Sequence, residues 1–479
     1  MNYRMLLYLL SVILLIEAAF LLVPMLVAAI YGEPVMPFLI TVGILVAVSL
    51  PGILQKPKNT KIYAKEGYVT VALSWLLMSL FGALPFTLSG AIPSYVDAFF
   101  ETCSGFSTTG SSILRVIEGL PRGVLFWRSF THWMGGMGVL VFMLAILPQG
   151  GHAIYLLRAE VPGPTKGKLV PKLRHTAIIL YGIYIVLTIT EVIALLFTGL
   201  PLYDSLVSAF GTAGTGGFSV MNESIAGYNN PAAEWVISVF MLIFGINFNL
   251  YFFILIGRWR EIFKNEELKV YLSLAAISVA VICVQTYHSF ENFGECIRAS
   301  FFQTTSLIST SGFSTRDFSQ WPGLTKMLLV FLMFTGSCAG STAGGVKLSR
   351  LLIVFKNTIR EIRHMLHPRS VNTVRIDGEP VPEETVRSAV NYIALYLTVL
   401  IISAIAISVD GYGFETNFTG ALACLNNIGP GLGDVVGPAG NFSGFSVFSK
   451  IVLSLDMLFG RLEIMPMIIL FSPSTWRHK

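Results

Sequence analysis

The chain has 479 residues, 54% of them hydrophobic and only 12% charged, with a mean hydropathy of +0.71. A soluble domain carries about 25% charged residues, so a water-soluble globular fold is excluded and the bilayer is the expected solvent. The formal net charge of +5 and the five cysteines (Cys103, Cys283, Cys296, Cys338, Cys424) point to neither nucleic-acid binding nor a disulfide framework, since no CxxC spacing occurs.

Taken in chain order, the apolar runs predict ten membrane spans, over about 4–30, 36–55, 67–90, 123–148, 175–200, 232–258, 268–288, 323–365, 385–410 and 445–471. The first run is too long for a secretory h-region and no A-x-A site follows it, so it reads as a retained helix. Four shorter semi-polar segments lie near 96–112, 203–219, 295–314 and 415–432. Each is too short, or too rich in Gly, Ser and Thr, to cross as a helix.

The basic residues set the expected orientation. Alternate loops hold Lys56, Lys58, Lys61 and Lys65, then Arg158, Lys166, Lys168, Lys172 and Arg174, then Arg258, Arg260, Lys264 and Lys269. A run from Lys347 to Arg387 follows, and Arg477 and Lys479 close the chain. That side should be cytoplasmic, which puts both termini inside and all four short segments outside.

The short segments repeat one another: Ser107-Thr-Thr-Gly-Ser-Ser, Gly214-Thr-Gly-Gly-Phe-Ser, Ser309-Thr-Ser-Gly-Phe-Ser and Asn426-Asn-Ile-Gly-Pro-Gly. Gly110, Gly217, Gly312 and Gly429 align, and Asp97 and Asp204 stand at the same distance before the first two. The unit reads span, short helix, glycine loop, span. It occurs four times and follows two extra spans. A helix that stops inside the membrane aims its carbonyl end, with about half a negative charge, at the centre. The return as extended backbone is tolerated only around a water-filled or protein-lined space. Glycine lets successive carbonyls face one way, and a ring of them replaces a cation's hydration shell. The expected fold is therefore an all-α polytopic membrane protein with four tandem helix–pore-loop–helix repeats around one pore. Its divisions are 1–60 (two extra helices), 61–150, 151–265, 266–375 and 376–479.

The eighth span is interrupted by Thr335-Gly-Ser-Cys-Ala-Gly-Ser-Thr-Ala-Gly-Gly345. The roughly 12 apolar residues before it rise about 18 Å, which places the break near mid-membrane. It reads as a flexible loop under the glycine ring, or as a GxxxG packing face from Gly336 to Gly340. In the last span, Arg461 must face protein or water. It either braces Asp456 or Glu463 or projects toward the pore. Glu191 in the fifth span reads as a carboxyl satisfied by a neighbour, or as a proton relay. His132 reads as a packed interior residue. The Asn222, Asn417 and Asn441 sequons would lie outside. Val374–Val381 carries an Asp-Gly hairpin turn in a basic stretch that reads as a solvated loop or a docking surface. The chain has no GxxxxGKS/T or GxGxxG loop after a strand pattern.

These motifs resemble the Trk/Ktr/HKT superfamily of potassium transporters, most closely the bacterial Trk potassium-uptake membrane subunit, over nearly the whole chain. The resemblance implies a K+ filter lined by backbone carbonyls of Thr108, Thr109, Gly110, Thr215, Gly216, Gly217, Thr310, Ser311, Gly312, Asn427, Ile428 and Gly429. Glycine at the first position goes with potassium selectivity in that family, whereas some plant relatives carry serine there and favour sodium. It implies an intramembrane gate formed by segment 335–345 (Gly336, Gly340, Ser341, Thr342, Gly344, Gly345) with Arg461. It also implies a homodimer in the bacterial inner membrane, with a cytosolic nucleotide-binding regulatory ring of RCK/KTN type (TrkA-like) on the basic face. Potassium is the transported ion, and no organic cofactor is expected on this chain. The fourth loop departs from the pattern, since Pro430 replaces Phe218 and Phe313 and cannot donate a backbone hydrogen bond. The expected function is potassium-selective uptake without enzyme activity. The alternative is a proton- or sodium-coupled symporter.

Overall fold

In the computed structural model the described residues are 1–55, 57, 59, 63–138, 173–370 and 372–476. The second half of the expected fourth span lies outside them. So do the basic residues Lys56, Lys58, Lys61, Arg158, Lys166, Lys168, Lys172, Arg477 and Lys479.

Two apolar helices, Tyr3–Ile30 and Met36–Leu54, open the chain as a pair. The first buries Leu9, Ile13, Leu14 and Leu21 against the first repeat. Each repeat then begins with a long entering helix: Ala64–Gly82 (extended by Leu84–Leu88), Leu173–Phe197, Glu266–Thr286 and Glu383–Ile407. A half-helix follows in each: Tyr95–Phe106, Leu202–Ala213, Phe293–Ile308 and Phe414–Leu425. Three have 12 residues and one has 16, about 18–24 Å of rise, too short to cross a hydrocarbon core. Each carries a carboxylate in its first turn, Asp97, Asp204, Glu295 or Glu415, which suits the positive end of the helix dipole.

The returning helices are Arg122–Gly136, Pro231–Phe244, Gly323–Thr335 and Val447–Arg461. Every half-helix packs on its own entering and returning helices and on the returning helix of the preceding repeat. The returning helix of repeat four packs on the half-helix of repeat one. The chain therefore closes into a ring of four units. This is the expected fold class.

Six of the described helices are long and apolar enough to cross a membrane, or seven if one bent pair is counted as a span. The ten expected spans differ from this because three of the returning helices break, and the second half of the fourth span lies outside the described residues. The eighth was expected to break. The sixth also breaks, between Phe244 and Phe248, with an 89° bend, and the tenth breaks between Arg461 and Met465. Asn247 caps the helix after the first of these breaks, accepting from Asn249 N. Left-handed Glu463 (φ 62°) and Ile464 (φ 61°) make the second. Apolar runs flank both breaks, and the few polar residues at them, Asn247 and Asn249 at the first and Arg461 and Glu463 at the second, do not end the expected spans. On the expected cytoplasmic side, Arg375–Ile376 pairs antiparallel with Glu379–Pro380 around left-handed Asp377 and Gly378, the expected Asp-Gly hairpin.

Candidate functional site

Each half-helix ends four residues before its aligned glycine, at Phe106, Ala213, Ile308 and Leu425. The two-residue-earlier positions Thr108, Thr215, Thr310 and Asn427 all have φ of 55–60°, and Gly110, Gly217, Gly312 and Gly429 have φ of 85, 73, 75 and 104°. Three of those earlier residues are β-branched threonines, for which positive φ is costly. The strain is held by one bond repeated four times. The N–H just before the glycine returns to a half-helix carbonyl: Thr109 to Ser104 (2.8 Å), Gly216 to Gly211 (2.8 Å), Ser311 to Ser306 (2.8 Å) and Ile428 to Ala423 (2.9 Å). With the N–H groups turned back to the helix, the alternating backbone leaves carbonyls for the opposite side.

The four loops meet in cyclic order. A β-carbon on Gly110 would overlap the carbonyl oxygen of Gly216, one on Gly217 that of Ser311, and one on Gly312 that of Ile428. One on Gly429 would stand 2.9 Å from Thr109 O. The twelve residues expected to line a filter are thus brought together, and eight of them, Thr108, Thr109, Thr215, Thr310, Ser311, Asn427, Ile428 and Gly429, are buried with Gly216 as a ninth. The fourth quadrant has its own braces. Asn427 Nδ2 donates to Thr109 Oγ1 (2.9 Å) and Met457 O (2.8 Å). Asn426 Nδ2 donates to Met333 O (2.8 Å), and Ser111 Oγ donates to Gly429 O (2.9 Å).

Segment 336–347 crosses beneath this ring. Gly336, Gly340, Gly345 and Lys347 all have positive φ, so Gly336 and Gly340 are not a helix-packing face. Gly344 N donates to Thr310 Oγ1 (2.8 Å), and a β-carbon on Gly344 would press on Asn427. Thr342 Oγ1 donates to Phe244 O (3.3 Å), and Ser341 Oγ donates to Cys338 O (2.6 Å). The break in the sixth span meets the break in the eighth: Phe248 N donates to Gly340 O (2.9 Å), and Cys338 N donates to Gly245 O (3.2 Å). Backbone groups freed by two broken helices thereby satisfy each other, as an apolar solvent demands.

Arg461 sits on the far side of the segment. Its Nη1 donates to Thr342 O (2.8 Å) and its Nη2 to Gly136 O (2.7 Å) and Gly135 O. It therefore ties repeat four, the broken segment and repeat one together, and places a permanent positive charge under the ring. Of its two expected carboxylate partners, Glu463 pairs with Arg350 (2.6 Å) and Asp456 accepts from Ser403 Oγ (2.7 Å).

Several anchors lie outside the residues singled out from sequence. Glu267 Oε1 accepts from Ala339 N (2.7 Å) and Ser349 N (2.9 Å), clasping both ends of the broken segment. Lys347 is buried with its Nζ on Ala343 O. Arg128 and Glu101 form a buried ion pair. The available signal was charge inside apolar runs, read for Arg461 and Glu191 but not for Arg128; Glu267, just before the seventh span in a polar stretch, gave no such signal. His132 is the packed interior residue expected, its Nδ1 donating to Gly105 O (2.8 Å).

Four pore loops converging on a common centre, with half-helix carbonyl ends behind them, define a four-repeat membrane pore protein. The chain belongs to the TrkH family of cation transport proteins, which matches residues 37–478. It is 34% identical to the Trk system potassium uptake protein TrkH of Salmonella typhimurium, over 100% of both chains. It is 33% identical to the Trk system potassium uptake protein TrkG of Escherichia coli, over 95% of this chain and 94% of that one. The backbone matches the crystal structure of the potassium transporter TrkH from Vibrio parahaemolyticus with a TM-score of 0.89 at 31% identity, over 100% of each. The family expected from the motifs is borne out.

Proposed function

We propose that this chain takes up potassium across the bacterial inner membrane through the ring of four glycine loops. The carrying observation is the cyclic closure, in which each aligned glycine leaves just the room that the next repeat's carbonyl occupies. Carbonyls of Thr108, Thr109, Gly110 and their counterparts in the other three loops replace the ion's hydration shell, and the half-helix ends favour a cation at the centre. Segment 335–345 and Arg461 form the gate. The segment fills the path below the ring, and the guanidinium repels a resting cation. The membrane potential drives entry with about 2.3 kcal/mol per charge per 100 mV.

The chain is a transporter rather than an enzyme, and potassium is its cargo. It works as a homodimer under a cytosolic nucleotide-binding ring. The supporting surface is helix Leu348–Leu366, which exposes Phe355, Ile362, Met365 and Leu366 among Arg360, Arg363 and His364. A second reading, proton-coupled symport, draws on Glu191, a fully buried carboxyl beside Thr212 of the second half-helix.

The test is ion flux into proteoliposomes under an imposed inside-negative potential. Potassium entry that follows the potential at equal pH on both sides supports passive uptake. Entry that stops without an inward proton gradient, with the potential clamped, overturns it in favour of symport.

A further inference from the structure

The best-buried ion pair in the described chain lies directly behind the ring. Arg128 Nε meets Glu101 Oε1 at 2.6 Å, with side chains 2% and 0% exposed. Glu101 is on the first half-helix. Its carboxylate also accepts from Ser112 Oγ (2.8 Å) and Ile113 N (2.9 Å), on the strand leaving the first glycine loop. Arg128 is on the returning helix of repeat one. Its Nη1 donates to Ser219 O (2.9 Å), two residues past Gly217, and its guanidinium carbon lies 3.5 Å from the centre of the Phe218 ring. The pair therefore holds the exit of loop one with one member and the exit of loop two with the other. One turn further along the same helix, His132 repeats the bridge. It donates to Gly105 O on the first half-helix, its ring fills the space where a β-carbon on Gly216 would sit, and its backbone carbonyl fills that of Gly214.

Repeats three and four use neutral groups for the same task. In repeat three Gln303 stands where Glu101 stands in repeat one, and with its amide turned to accept, its oxygen takes the N–H of Thr315 (2.9 Å). Thr315 corresponds to Ile113. In repeat four Thr419 Oγ1 takes the N–H of Leu432 (2.8 Å). A buried ion pair is costly to desolvate, and replacing it by neutral groups often leaves stability unchanged. Stability alone therefore gives no reason for charge in this one quadrant. A stacked guanidinium that bonds a carboxylate with Nε and a carbonyl with Nη1 does give something a neutral group does not, namely one rigid plane fixing two loops at once.

We infer that Arg128 and Glu101 are positioning residues that set the ring's width between its first two loops, and with it the discrimination of potassium from sodium. The inference rests on the filter reading above. Neither residue touches the ion. Loosening the clamp lets loops one and two relax inward around the smaller cation.

The test compares potassium and sodium flux in proteoliposomes for three variants of the full chain. Arg128→Lys keeps the charge pair and so favours folding, yet one ammonium cannot hold Glu101, reach Ser219 O and lie flat on Phe218 together. The double variant Glu101→Gln/Arg128→Gln removes both charges at once and leaves no uncompensated ion. Gly110→Ser reports on the ring itself. The expected result is a sodium-to-potassium flux ratio raised about tenfold in both clamp variants, a change of about 1.4 kcal/mol in discrimination. A purely structural role would lower both fluxes and leave the ratio alone. The parent ratio in the clamp variants, with sodium entering through Gly110→Ser, overturns this inference and leaves the filter reading standing. The parent ratio in all three overturns both. Sodium entry in the clamp variants but not in Gly110→Ser detaches the pair from the ring and also overturns the inference. If the double variant does not fold, Arg128→Lys decides.

Discussion

At the residue scale, the ring depends on missing β-carbons. Gly110 has φ 85° and no room on the side of Gly216 O, so Gly110→Ser must push loop two away or twist loop one. We expect that variant to admit sodium, read as a raised sodium-to-potassium flux ratio. Unchanged selectivity would show that Gly110 is not at the ring. Gly312→Ala meets Ile428 O and the Pro430 ring together, and proline yields little. Potassium flux in Gly312→Ala should fall by at least about tenfold, since strain of about 1–3 kcal/mol at such a position has no neighbour able to absorb it. Wild-type flux there would contradict the tight third-to-fourth contact. The glycines were legible in the sequence because nothing else reaches their dihedrals cheaply. The left-handed threonines beside them were not. Thr108, Thr215 and Thr310 are poor candidates for positive φ by type, and only the half-helix carbonyls that accept from the following N–H groups explain why they adopt it.

At the scale of the element, the broken segment is a strap with identifiable fastenings: Arg461 on Thr342 O, Thr310 on Gly344 N, and Glu267 on Ala339 N and Ser349 N. Deleting part of 336–344, or removing the Arg461 guanidinium as Arg461→Ala, should raise potassium flux in well-folded protein. Unchanged or lower flux would remove the segment from the gate. Glu267→Ala leaves two buried N–H groups without an acceptor, at about 1–3 kcal/mol each. It should lower the thermal midpoint and raise basal flux together, whereas a lower midpoint with parental flux would make Glu267 a folding anchor only. Four glycines in eleven residues made the eighth span's break readable. The breaks at Gly245–Asn247 and Leu462–Ile464 were missed because each holds only a few polar residues inside a long apolar run, and the backbone groups freed at the first are satisfied by partners distant in sequence, Cys338 and Gly340. No local window contains that information.

Over the whole molecule, four unlike sequences close one ring. Repetition of short motifs was enough to give the family and the architecture, because the glycine spacing and the half-helix lengths are set locally. The unequal fastening of the quadrants was not legible, since it comes from side chains three hundred residues apart, such as Asn427 on Thr109 and Ser111 on Gly429 O. The Arg461 contacts to Gly135 and Gly136 are of the same kind. They join the returning helix of repeat four to the first repeat, so the proposed gate and the ring share one frame. Movement of the strap should therefore be felt first where repeats four and one meet.

The central claim is that a permeating ion rests among the carbonyls of these four loops. Crystals of the protein grown in rubidium, measured at the rubidium absorption edge, test it most directly. The account predicts anomalous peaks on the axis enclosed by the carbonyls of Thr109, Gly216, Ser311 and Ile428, lost when sodium replaces rubidium. Rubidium bound elsewhere in the membrane region, with that axis empty, would contradict it.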